Sequence, residues 1–201
     1  MGNYIQESKS ALRVEVGERL KAFPAAEQAA AAAQARALLT EQSLWRKAQT
    51  ILFFAPLPGE LDVWPLLSVA LAAGKRAALP LFDRDQKNYT ACMIENPDTD
   101  VHIGHFGIRE PNTYCSRLAS SRMDLILVPG VAFDAKGHRL GRGKAYYDQL
   151  LAVIGGTRCG VGFDQQLVPE VPIEEHDAKM DCMLTPTRWL ELPAQAGRPG
   201  A

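Results

Sequence analysis

The chain has 201 residues, 47% of them hydrophobic, and a formal net charge of −1. That length and apolar content provide for one domain with a substantial core. The near-zero charge argues against a global field that would draw the chain to nucleic acid or an anionic membrane surface, and no apolar run approaches the ~18 residues of a membrane-spanning helix.

At the N-terminus, MGNYIQESKS has no signal-peptide apolar stretch, and Gln6 stands where a myristoylation signal carries Ser or Thr. Residues 4–22 set Leu12, Val16 and Leu20 on one side of a helix that Pro24 interrupts. Residues 25–41 are alanine-rich and predict a second helix. The run TILFFA (50–55), bounded by Pro56, Pro58 and Gly59, predicts a buried strand. An amphipathic helix over 63–73 stops at Gly74. A second strand follows over 76–81 and a third over 89–94. Residues 104–111 read as a loop, 114–121 as a short helix and DLILV (124–128) as another buried strand. A helix is expected over 143–154, a strand over 157–163 and a last strand over 181–185. Residues 193–201 read as a frayed tail, leaving 1–192 as one domain.

Strands of about five residues alternating with helices of about ten predict an α/β domain with a mostly parallel sheet covered by helices on both faces. Ligands in such sheets bind beyond the carboxyl ends of the strands. The loops after Ala55, Val128 and Phe163 lie there and carry Glu60, the 137–148 segment and Asp164. The four cysteines, Cys92, Cys115, Cys159 and Cys182, show neither CxxC nor zinc-like spacing and read as reduced thiols of a cytoplasmic protein.

The stretch LILVPGVAFDAKGHRLGRGKAYYDQL (125–150) carries the most chemistry. It is not a P-loop, because His138 and Ala145 break GxxxxGK[ST], and not a dinucleotide fingerprint, because Tyr146 stands where the third glycine is needed. Arg139, Arg142 and Lys144 nevertheless lie within six residues, interleaved with Gly141 and Gly143 and followed by Tyr146, Tyr147 and Asp148. Small residues let backbone amides approach an anion, and a helix N-terminus adds partial positive charge. Asp148 can cap, pair with a neighbouring cation or hold Mg²⁺. The plain alternative is a tight turn with solvated cations. Elsewhere, Asp134 is expected to close a turn with Gly137. His102 and His105 form HxxH without a third ligand nearby, which reads as a surface loop. Trp45, Trp64 and Trp189 read as core or pocket wall, and His138 and His176 border the candidate site.

PGVAFDAKGHRLGRGKAYYD closely resembles the signature of the 5-formyltetrahydrofolate cyclo-ligase family, also called 5,10-methenyltetrahydrofolate synthetase. The resemblance covers most of the chain. Lys9 and Arg13 match the family's N-terminal Lys/Arg pair, and Pro58-Gly59-Glu60-Leu61-Asp62 its glutamate-bearing loop. Residues 106–111 match its FGI-x-EP element, and Gly162-Phe163-Asp164 and His176-Asp177-x-Lys179-x-Asp181 its C-terminal elements. Ala145 departs from it, because the family usually has Gly there.

The resemblance implies a single three-layer, Rossmann-like α/β domain and ATP- and Mg²⁺-dependent closure of 5-formyltetrahydrofolate to 5,10-methenyltetrahydrofolate, with ADP and phosphate released. It implies an ATP site made of Lys9, Arg13, Arg139, Gly141, Arg142, Gly143, Lys144, Ala145, Tyr146, Tyr147 and Asp148. Folate contacts are implied for Arg13, Leu57, Glu60, Tyr146 and Tyr147, metal ligation for Asp148 and Asp177, and catalytic roles for Arg142, Lys144 and Tyr147. Asp181 is the weaker metal candidate. The partners implied are small molecules alone, with neither nucleic acid nor membrane, and the protein a monomer or weak homodimer. A non-catalytic folate- or nucleotide-binding relative is the alternative, on the strength of Ala145.

Overall fold

The central strands are apolar on both sides, so both faces of the sheet they form have to be covered. In this computed structural model, which describes residues 2–83, 88–104, 107–118 and 123–192, that requirement organises the chain. It opens with helices α1 (Gly2–Lys21), α2 (Ala25–Glu41) and α3 (Ser43–Lys47), then strand β1 (Thr50–Leu52) and helix α4 (Trp64–Ala72). Strands β2 (Arg76–Asp83), β3 (Asn88–Ile94), β4 (Val101–Ile103), β5 (Arg109–Pro111), β6 (Arg117–Leu118) and β7 (Leu125–Pro129) follow. The hairpin β8 (Ala132–Phe133) and β9 (Arg139–Leu140) precedes helix α5 (Tyr146–Val153) and strand β10 (Thr157–Val161). A 3-10 turn (Asp164–Gln166) then leads to strands β11 (Cys182–Leu184) and β12 (Trp189–Glu191).

The main sheet has the order β12-β11-β10-β7-β1-β2-β3-β6. From β11 to β2 every pairing is parallel, and antiparallel β12, β3 and β6 flank that centre. Period-two alternation sends Ile51, Phe53, Leu79, Leu125, Leu127 and Val161 to one face, where they pack with Leu39 of α2, Trp45 of α3 and Leu67 of α4. Leu52, Ala78, Ile126, Val128 and Met183 point the other way, against Leu150 and Leu151 of α5. The expected α/β architecture, with a mostly parallel sheet between helices, is thus what the chain adopts.

Helix α1 docks by Val16, which is fully buried against Ala132, Leu140, Val168 and Val171. Lys9 and Arg13 lie seven and three positions before Val16, on the same helical stripe, so docking Val16 turns both cations toward the protein.

Several expectations are corrected in detail. Residues 109–111 of the expected 104–111 loop form β5, which pairs antiparallel with β4. The described part of 114–121 contains no helix; Arg117–Leu118 instead extends the sheet along the open edge of β3, aided by an ion pair from Arg117 to Asp83 at 3.2 Å. An unpaired strand edge offers hydrogen bonds that a single helical turn cannot match. Helix α5 starts at Tyr146 rather than at residue 143, and α3, β8, β9 and β12 were not anticipated. The tail at 193–201, His105 and Phe106 lie outside the described residues.

Before β10, Gly156 has φ 139°, and a β-carbon there would collide with the carbonyl oxygen of Met123. Gly156→Ala is expected to destabilise the fold by about 2–3 kcal/mol, read as a lower denaturation midpoint with an unchanged m-value.

Candidate active site

Strand β7 ends at Pro129-Gly130, and the chain returns through the β8–β9 hairpin to the carboxyl edge of the sheet. Asp134 sets that hairpin. Its carboxylate is fully buried and accepts the amides of Lys136 (2.9 Å), His138 (3.0 Å) and Val171 (3.0 Å), while His138 Nδ1 lies 2.9 Å from Oδ2. The Gly137 amide also donates to the Asp134 carbonyl, so the expected turn is present. Burial alone would push the Asp134 carboxyl up, but the Val171 amide, the His138 ring and the remaining amide bonds outweigh it and hold it below the ordinary range.

The next residue, Arg139, is 5% exposed. It donates to the Pro129 carbonyl at 3.2 Å and to Asp148 Oδ1 at 2.7 Å, which joins the hairpin to the first turn of α5. Between them the glycine loop approaches α1. Arg13 Nε donates to the Gly141 carbonyl at 2.9 Å, and a β-carbon on Gly143 would lie 3.5 Å from the Arg13 guanidinium. Gly143 has φ 95°. Ala145 enters α5 in the left-handed region, φ 52° and ψ 12°, the one non-glycine residue with positive φ among the described residues.

These parts line one cavity of about 680 Å³, within the range of small-molecule sites. At one end Lys9, 5% exposed, bridges Glu174 (2.8 Å) and Asp177 (2.6 Å). Burial lowers its pKa, but bonds to those two carboxylates overcome this and leave the ammonium above its ordinary value. The hydrogen bond from Lys9 draws the Glu174 carboxyl down in return. Glu174, His176 and Asp177 each present a potential ligand atom, all within 4.8 Å of one another. Asp148 joins this end through the Ala178 amide, 3.3 Å from its Oδ1. A set dominated by carboxylate oxygens fits a hard divalent cation such as Mg²⁺.

The other end is aromatic and apolar. Tyr146 packs on Phe82 (centroids 4.8 Å apart) and on Tyr89 (5.6 Å), and Tyr147 lies 6.0 Å from Tyr89. Burial, and then the charge of Glu60, pushes the Tyr147 hydroxyl well above its usual value. Glu60 also lines the cavity. Its Oε2 accepts the Leu57 amide at 3.0 Å, and its Oε1 takes Arg142 at 2.9 and 3.1 Å. Lys144 Nζ stands 5.9 Å from the centre of the Tyr146 ring.

Lys9, Arg13, Leu57, Glu60, Arg139, Gly141 to Asp148, and Asp177 all border this cavity. Asp181, the weaker metal candidate, does not line it; its Oδ2 accepts the Arg158 amide at 2.8 Å. Sequence reading missed Glu174, although it lies three positions before Asp177. It also missed Phe82 and Tyr89, which carry no motif and reach the cavity only because β2 and β3 pair. Arg109 and Glu110, matched within a motif but given no role, line it as well. Of the tryptophans, Trp45 is core, Trp189 packs against it, and Trp64 lies under the guanidinium of Arg109. His102 is exposed on β4.

Two stability tests follow from this geometry. Ala145→Gly removes a left-handed alanine and is expected to stabilise by about 1 kcal/mol, raising Tm by about 2–4 °C. Asp134 has a lowered folded-state pKa, so its contribution is present above the unfolded value near ~3.9 and is lost as pH falls through the folded value. The Tm gap between wild type and Asp134→Asn should therefore be wide at neutral pH and shrink below pH ~4; a gap that does not change with pH would exclude the ionised carboxylate as its source.

Comparisons with known proteins point to one family. Residues 5–186 match the model of the 5-formyltetrahydrofolate cyclo-ligase family. The chain is 32% identical over 189 residues to the 5-formyltetrahydrofolate cyclo-ligase of Mycolicibacterium smegmatis, covering 91% of this chain and 96% of that one. It is 32% identical over 148 residues to the enzyme of the same name from Escherichia coli, covering 72% and 81%. The solved structure of Aquifex aeolicus 5,10-methenyltetrahydrofolate synthetase superimposes with a TM-score of 0.83 at 29% identity, over 94% of this chain and 95% of that one. The family match over residues 5–186, these identities and the shared fold lead to one conclusion: this protein belongs to the 5-formyltetrahydrofolate cyclo-ligase family, a family of ligases.

Proposed function

We propose that the chain closes 5-formyltetrahydrofolate to 5,10-methenyltetrahydrofolate in the cytoplasm, consuming ATP with Mg²⁺ and releasing ADP and phosphate. The observation that carries this reading is a single cavity with a cationic, carboxylate-bearing end and an aromatic end. Two chemically different substrates can meet there.

The formyl oxygen is a poor leaving group. Its attack on the γ-phosphorus of ATP expels ADP and makes it a phosphate ester. The N10 lone pair then attacks the formyl carbon, the C–O bond breaks with phosphate as leaving group, and N10 gives up its proton to phosphate or water. Such chemistry asks the protein for position and charge neutralisation more than for covalent participation. Intramolecular attack in a well-oriented pair can offset roughly 7–11 kcal/mol of barrier.

The residues suit those tasks. Lys9, Arg13, Arg142 and Lys144 offer cations to phosphate oxygens, and the amides of Gly141, Gly143 and Ala145 offer backbone donors. Arg139 is buried and committed to Asp148, so it orients that carboxylate. Asp148 and Asp177, with Glu174 beside them, would hold Mg²⁺, which supplies charge neutralisation on the triphosphate. Glu60 accepts N–H groups of the pterin, Leu57 lies beside it, and Tyr146 and Tyr147 flank the ring system. The high pKa of Tyr147 keeps it a hydrogen-bond donor, suited to the formyl oxygen.

Purified protein supplied with 5-formyltetrahydrofolate, ATP and Mg²⁺ is expected to accumulate methenyl absorbance with one ADP released per product. Lys144→Ala should raise the KM for ATP and lower kcat, each by about tenfold, as removal of one charge-assisted bond predicts. Tight binding of both ligands without product would instead select the non-catalytic relative.

A further inference from the structure

The hairpin β4–β5 carries Ile108, Arg109 and Glu110 to the aromatic end of the cavity. Of these, Arg109 is exposed, and its guanidinium carbon stands 4.5 Å over the centre of the half-buried Trp64 ring at the start of α4. Stacking on an aromatic face fixes the plane of a guanidinium while leaving its N–H fork unused.

The acids of the neighbouring segments form no ion pair with Arg109 among the described residues. Asp62 Oδ1 accepts the Trp64 amide at 2.9 Å, Glu60 takes Arg142 at 2.9 Å, and the Glu110 carboxyl lies against Gly104, where a β-carbon would collide with it. Among the described residues Arg109 has no ion pair. Arg139 and Arg142, which line the same cavity, are both paired to carboxylates. A guanidinium stacked on an aromatic ring at the cavity, with no ion pair among the described residues, is arranged for a carboxylate that arrives with a ligand.

We propose that Arg109, oriented by Trp64, is a specificity-determining residue that binds a carboxylate of the glutamyl tail of the substrate. The inference rests on the folate reading above. With the pterin at Glu60 and the aryl ring along Phe82, Tyr89 and Tyr146, the tail leaves the cavity toward the hairpin. Its carboxylates are the only anions on that half of the substrate. Because the contact lies far from the bond being made, it acts on substrate capture and not on the chemical step.

The test is initial-rate kinetics of wild type, Arg109→Ala and Arg109→Lys with the mono- and triglutamyl forms of 5-formyltetrahydrofolate at saturating ATP. Arg109→Ala is expected to raise the KM for both forms by about three- to tenfold, the range of a partly exposed charge-assisted pair, with kcat and the KM for ATP unchanged. Arg109→Lys should recover part of the loss, and Trp64→Leu should raise the folate KM in the same direction. The effect of Arg109→Ala should shrink as ionic strength rises. Unchanged folate KM values in Arg109→Ala, with wild-type turnover intact, would overturn the tail contact alone. No turnover of either form by the folded wild type would overturn the folate reading and this inference with it.

Discussion

The carboxylate of Asp134, sealed from water, is the constraint on which the site depends. It gathers three backbone amides and the His138 ring into one buried knot. An ionised carboxylate without those donors would cost several kcal/mol to bury. With them it fixes the β8–β9 turn, and through Val171 it ties that turn to the segment leading to Glu174 and Asp177. Arg139 follows directly, so its guanidinium emerges at a set height and meets Asp148. The glycine loop is therefore suspended between two anchored points, the hairpin and the start of α5. A loop held at both ends needs less order imposed on it when a ligand binds.

The charges around the cavity are also held in pairs. A cluster of cations repels itself, and this one is balanced from within: Lys9 by Glu174 and Asp177, Arg139 by Asp148, Arg142 by Glu60. Each anion that neutralises a cation is also a candidate for metal or pterin. A charged ligand entering such a set would exchange partners with it, leaving few charges bare and lowering the desolvation incurred.

Much of this was legible from the sequence because it is local. Short apolar runs such as TILFFA and DLILV mark both-face burial, and the composition of the Arg139 to Asp148 stretch marks the segment that lines the cavity. The i, i+4 pair Lys9 and Arg13 is visible on its helix, although only the docking of Val16 shows which way it faces. What stayed hidden depends on pairings distant in the chain. Phe82 and Tyr89 become a wall through strand pairing. Arg117–Leu118 becomes a strand because β3 has a free edge. Glu174 matters because Lys9, 165 positions earlier, reaches it. Helix α5 begins late because Ala145 takes a left-handed conformation that no propensity scale would assign to alanine.

Lys9 and Arg13 lie near the start of the chain, yet their partners are 168 and 128 positions away. During synthesis the first helix leaves the ribosome long before anything exists for it to grip. Closing so long a loop carries an entropic cost that grows only as the logarithm of its length. The delay is therefore more a matter of order than of stability: the cavity is finished only when residues 174–177 have emerged, and until then a nascent chain lacks the two carboxylates that hold Lys9.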